Sequence, residues 1–209
     1  MRKLLIALAL SFVTGIVQAG AYDDMIAAAN SGDTGTVIDL LNRGMDINTA
    51  DRSGSTLLMI AVLNGNLPLV QTLLANRANV NRRNQAGDTA LLLAAFKAQF
   101  EVVKVLIEKG GDINPSGWTP LHYAVFGGSR EVAALLVAKG AKLDVRAPNG
   151  QTALMLAVKL GNPDLVRFLI DADADMDLVD FSGVSALALA LKLGNEEIAA
   201  YLRKEGAVE

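Results

Sequence analysis

The residues that could carry chemistry in this chain are few, and their spacing decides what they can do. His122 is the single histidine of 209 residues, and there is no cysteine. Disulfides, thiolate nucleophiles and Cys-ligated zinc are thereby excluded, and so are a His-rich metal site and a two-His mechanism. No second base, thiol or ligand stands ready to complete a mechanism with His122. Asp171, Asp173, Asp175 and Asp177 alternate like the opening of a calcium loop. That loop needs glycine at its sixth position and glutamate at its twelfth, where Met176 and Ser182 stand instead. The remaining carboxylates read as a solvated rim, and no Gly-rich phosphate loop or nucleophile elbow is present. We expect no catalytic residue, no bound metal and no cofactor.

The elements around these residues follow from composition and period. Hydrophobic residues make up 52% of the chain and charged ones 20%, which supplies enough apolar surface to fold. With 19 Lys and Arg against 22 Asp and Glu, the net charge is -3. No basic field is available to draw a phosphate backbone, so nucleic acid is not an expected partner.

Arg2 and Lys3 precede an apolar run from Leu4 to Val17, followed by the small-residue sites Val17-Gln18-Ala19 and Ala19-Gly20-Ala21. This is the three-part layout of a secretory signal peptide. The run is shorter than the roughly twenty residues that a bilayer span needs. Residues 1–21 are therefore expected to be removed after Ala19 or Ala21, leaving an exported protein with no stable membrane insertion. Taking Arg2 and Lys3 away leaves 17 basic residues against 22 acidic ones, a net charge of -5.

The rest of the chain repeats. Gly54, Gly87, Gly117, Gly150 and Gly183 recur at intervals of 33, 30, 33 and 33. Two positions after each comes Thr56, Thr89, Thr119, Thr152 or Ser185, and seven after comes Ala61, Ala94, Ala124, Ala157 or Ala190. The hydroxyl can cap a helix N-terminus, and Pro120 occupies the helical position that tolerates proline. Alanine is small enough to let a neighbouring helix approach. Gly65, Gly128, Gly161 and Gly194 stand where a left-handed residue would end that helix, and Gly110, Gly140 and Gly206 would end a second one. Asp173 takes the place of such a stop, a geometry that aspartate tolerates better than most residues. Each unit is thus helix, turn, helix and an extended hairpin-like loop.

Thr119-Pro120-Leu121-His122-Tyr123-Ala124 resembles the signature of the ankyrin repeat, and the other copies carry weaker versions of it. The resemblance implies an all-α solenoid of about six repeats including caps, over 22–209. Their approximate ranges are 22–50, 51–83, 84–113, 114–146, 147–179 and 180–209. The first copy looks like a cap, with Asp23 at its capping position, and the last exposes Arg203 where an apolar residue would otherwise pack. By the same resemblance His122 orders its own turn.

The resemblance also implies binding through hairpin tips and the exposed face of the inner helices. The residue after each signature glycine is expected near the tip, which gives Ser55, Asp88, Trp118, Gln151 and Val184. Nine or ten residues after the glycine, Leu63, Phe96, Phe126, Leu160 and Leu193 are expected to line the groove. Trp118 and Phe126 are expected to be exposed anchors, with Arg52, Arg83 and Lys97 as positive groups around them. The short interval before Gly117 should tighten the finger Gly111 to Ser116 and leave a notch beside Trp118. We expect a monomer that grips another protein, a periplasmic enzyme or toxin, in inhibition or immunity. The alternative is an adaptor for envelope assembly or support of an oxidative-stress enzyme such as a catalase.

Overall fold

The computed structural model describes residues 20–208, so the expected signal peptide lies almost wholly outside the described residues. Helix α1 is described over residues 20–31. It is followed by α2 (Thr34–Asn42), α3 (Leu57–Leu63), α4 (Leu67–Ala75), α5 (Ala90–Phe96) and α6 (Phe100–Glu108). Then come α7 (Pro120–Phe126), α8 (Arg130–Ala138), α9 (Ala153–Lys159), α10 (Pro163–Asp171), α11 (Ala186–Lys192) and α12 (Glu196–Lys204). Extended pairing among the described residues is confined to two single antiparallel bridges, Ala50 with Thr56 and Val179 with Ser185. The chain is all-α, and it forms two compact units, one ending at Asp88 and one beginning at Thr89.

The hydroxyl column does what its position predicts. Thr56, Thr89, Thr119, Thr152 and Ser185 each accept the backbone N–H three residues on, at 3.2 to 3.4 Å. Each thereby satisfies one of the donors that a helix start leaves unpaired. These short inner helices of seven residues are too brief to persist alone, and packing holds them. Ala61, Ala94, Ala124, Ala157 and Ala190 are all buried. In the unit from Thr89 the inner helices pack in the order α5, α7, α9, α11, and the outer helices in the order α6, α8, α10, α12.

Outer helices start on Asp33, Asn66, Ser129 and Asn162, whose side chains accept an N–H of the first turn. Their inward faces bury apolar pairs, such as Leu73 with Leu74, and Leu165 with Leu169. Asn side chains also tie repeats together. Asn64 Nδ2 donates to the Ala29 and Asn30 carbonyls at 3.0 Å, and Asn195 Nδ2 donates to the Val158 carbonyl at 3.2 Å. In α12 Leu202 is buried while Arg203 is exposed. Asp23 differs from expectation. It lies inside α1 and is exposed, because the helix already runs from residue 20 and leaves Asp23 no free first turn to cap.

The loops between repeats are held by side-chain acceptors. Asn48, Asn114, Asp144 and Asp177 each accept, through Oδ1, a backbone N–H of the next repeat, from Asn79, Lys142, Asp175 and Val208 respectively, at 2.8 to 3.0 Å. Each contact lies within one compact unit. Asp175 also accepts the Asp177 N–H at 2.9 Å. Asp175 and Asp177 are thus bound to backbone donors, and Asp173 sits at φ 67° as the stop of α10.

Candidate partner-binding face

The inner helices of the unit from Thr89 end in large apolar side chains that the core does not take up. Phe96 is 41% exposed, Phe126 56%, Leu160 45% and Leu193 47%. They are the last residues of α5 and α7 and the C-caps of α9 and α11. The Phe96 and Phe126 rings meet with centroids 5.7 Å apart and planes tilted by 34°, within the range of favourable aromatic pairs.

A glycine sets that approach. A Cβ on Gly127, the C-cap of α7, would collide with the carbonyl oxygen of Phe96 and lie 3.0 Å from its carbonyl carbon and 3.3 Å from its Cα. Gly127 has φ -75°, which any residue can adopt. Glycine is required there for space, because the end of α5 runs directly against it.

Cations border the stripe. Lys97 is the C-cap of α5, and Lys159 and Lys192 end α9 and α11. All three are exposed. No Asp or Glu occurs in α5, α7, α9 or α11. Among the described residues none of the three ammonium groups lies within ion-pair distance of a carboxylate. Lys159 and Lys192 share the register column of Phe96 and Phe126, nine residues after the glycine, but were not among the expected contact residues.

Trp118 is half-buried rather than exposed. Its indole stands edge-on to His122, with centroids 5.5 Å apart, and to Tyr123 at 6.5 Å. The finger before it is three residues shorter than its neighbours, and Pro115 within it is buried. Asn114 joins this finger to the next repeat, donating to the Gly140 carbonyl and accepting from the Lys142 N–H. The indole therefore rests on the start of α7.

His122 is buried and fixed on both ring nitrogens. Nδ1 accepts from the Thr119 N–H at 3.3 Å and lies 2.8 Å from its hydroxyl, and Nε2 lies 3.2 Å from the Gln151 carbonyl. A carbonyl can only accept, so Nε2 carries the proton and the ring is neutral. Burial pushes its pKa below the ordinary histidine value, against hydrogen bonds to the Gln151 and Val145 carbonyls that favour the charged form. The ring orders a turn and joins two repeats.

The residue after each signature glycine turns inward, which corrects its expected place at the tip. Ser55 and Gln151 are buried, and Asp88, Trp118 and Val184 are half-buried. These residues form the return arm of the finger. The Ser55, Asp88, Gln151 and Val184 carbonyls accept from the N–H groups of Asp51, Asn84, Ala147 and Asp180. Gln151 Oε1 also accepts from Asn149 Nδ2 at 2.9 Å, which removes this side chain from any partner face. The exposed tips lie one and two residues before the glycine, as at Pro148 and Asn149 or Phe181 and Ser182. Phe181 is 69% exposed and covers Gly150, where a Cβ would stand 2.5 Å from the Phe181 nitrogen.

The unit ending at Asp88 holds the other expected contact residues. Leu63 ends α3 and is exposed. Arg52 lines a groove with Tyr22 and Ile26 beside the first finger. Asp51 there accepts three bonds, from the Ser53 and Ser55 N–H groups and the Ser53 hydroxyl. Burial pushes the Asp51 carboxyl up, but these bonds outweigh it and hold the pKa below the usual value. Arg83 donates from Nη1 to the Gly87 carbonyl at 2.6 Å, which fixes it to its own finger.

Capped helix pairs packed in parallel order, with hydrogen-bonded fingers between them, define a helical repeat protein. The family description "Ankyrin repeats" matches the chain in three copies, over residues 25–116, 58–147 and 141–208. This chain belongs to the ankyrin-repeat family, whose fold serves to bind other proteins. A comparison with curated proteins finds no match.

Proposed function

We propose that this chain is an exported, periplasmic protein-binding module that holds an envelope enzyme or toxin inactive, in inhibition or immunity. The observation that carries the binding part is the row of exposed apolar ends at Phe96, Phe126, Leu160 and Leu193. A soluble surface leaves single apolar residues in the open routinely, but an ordered row on adjacent elements marks an interaction site. A side-chain row of this kind covers a partner and needs no chemistry of its own. The export part is supported by Arg2, Lys3 and the apolar run from Leu4 to Val17. None of the described helices is long and apolar enough to cross a membrane.

The test is a pull-down from periplasmic extract, with the chain and a Phe96→Ala, Phe126→Ala variant as baits. A hydrolase or toxin held by the parent, lost by the variant and inhibited by added parent protein supports the proposal. Two different proteins held at once without loss of activity would favour an adaptor instead. Retention of the same partner by both baits would remove the inner-helix face from the account.

A further inference from the structure

The binding reading names a face but not the chemistry of what covers it. Resting on that reading, we propose that the face of the unit from Thr89 takes a segment of another protein that combines apolar anchors with carboxylates. Charge complementarity points to that partner. The chain as a whole has more acidic than basic residues, yet the four inner helices α5, α7, α9 and α11 hold no carboxylate. Their only formal charges, with the C-caps included, are Lys97, Lys159 and Lys192. Each lysine is the immediate neighbour of a stripe residue, Phe96, Leu160 or Leu193.

No finger carboxylate forms an ion pair with these lysines among the described residues. Asp112, Asp144, Asp175, Asp177 and Asp180 each accept a backbone N–H within the loops. A helix C-terminus favours a nearby cation, which accounts for a lysine at one helix end. It does not account for the large apolar side chain exposed beside each of them. An apolar row with ammonium groups along it gains from a partner whose hydrophobic side chains cover the row and whose carboxylates meet the lysines. A basic segment would meet like charge at three of the four repeats, those of α5, α9 and α11. The chain's own start, with Arg2 and Lys3, carries that wrong sign.

The experiment is selection of a phage-displayed random peptide library on the purified protein. Enriched peptides are then synthesised and titrated against the parent, a Lys97→Glu, Lys159→Glu, Lys192→Glu variant and a Phe126→Asp variant. Circular dichroism and unfolding midpoints confirm that both variants are folded. The expected result is enrichment of peptides bearing Phe or Leu with Asp or Glu. Their affinity falls roughly tenfold or more in the lysine variant, mainly through the association rate. It also falls with salt as the screening length shrinks to about 3 Å near 1 M. Enriched peptides that are neutral or basic, or that lose affinity with Phe126→Asp but keep it in the lysine variant, overturn the acidic-partner inference and leave the binding face standing. Peptides unaffected by either variant, or no enrichment at all, overturn both. Light scattering that shows a concentration-dependent dimer abolished in the lysine variant would assign the face to a second copy and overturn the inference.

Discussion

Gly127→Ala separates two physical arguments by the sign of its effect. Gly127 has φ -75° and ψ -4°, so alanine fits the backbone without strain. On conformational grounds alone the substitution should stabilise by about 0.4 to 1 kcal/mol, because it restricts the unfolded chain. The close approach of α5 predicts the opposite. The new methyl group would collide with the Phe96 carbonyl oxygen and stand 3.0 Å from its carbonyl carbon, and backbone cannot rotate aside as a side chain can. Relief requires α7 to move away from α5, and such overpacking costs about 1 to 3 kcal/mol. The net expectation is a loss of roughly 1 to 2 kcal/mol, read as a lower urea midpoint. Hydrogen exchange should quicken in α5 and α7 and stay unchanged in α11. An unchanged or raised midpoint would refute the claim that the Phe96 to Gly127 approach is tight, and with it the account of how the two rings are held together.

Three further outcomes follow from the same structure. Ala98 sits at φ 56°, where a non-glycine residue is strained, and it is exposed. Ala98→Gly should therefore stabilise by about 0.5 to 1 kcal/mol and raise the melting temperature by about 2 °C. Because burial lowers the His122 pKa, the unfolded chain binds the proton more readily. Stability is full above the unfolded value of about 6.5 and falls as pH drops through it toward the lower folded value. Urea midpoints at pH 7, 6 and 5 should show that slope, and His122→Asn should flatten it. Asn114→Ala removes both the bond to the Gly140 carbonyl and the acceptor for the Lys142 N–H. It should cost about 1 to 2 kcal/mol and speed exchange of the Lys142 amide.

The scaffold was legible because helix caps and stops constrain residue type. The Thr and Ser column could be read as caps and is, and Asp173 could be read as a glycine substitute and has positive φ. Exposure at Leu63, Phe96, Phe126, Leu160 and Leu193 agrees with the groove positions that the family resemblance implies. What escaped depends on distances that no period encodes. Gly127 looks like an ordinary residue beside the stop Gly128, yet it is the one that a neighbouring backbone fixes. Arg77 and Ala98 hold left-handed backbone without any type that signals it. Gln151 and Trp118 were placed at finger tips because they follow the glycine, whereas backbone pairing turns Gln151 inward and the Trp118 indole packs against His122 and Tyr123. Lys159 and Lys192 stand nine residues after their glycines, in the same column as Phe96 and Phe126, and escaped because that column was read for its apolar members alone.

The most direct test of the central claim is hydrogen exchange of the protein alone and with its captured partner. The account predicts slower exchange at the C-terminal ends of α5, α7, α9 and α11, with the outer helices α6, α8 and α10 unchanged. Protection confined to the outer helices, or absent throughout the unit from Thr89 at saturating partner, would contradict it.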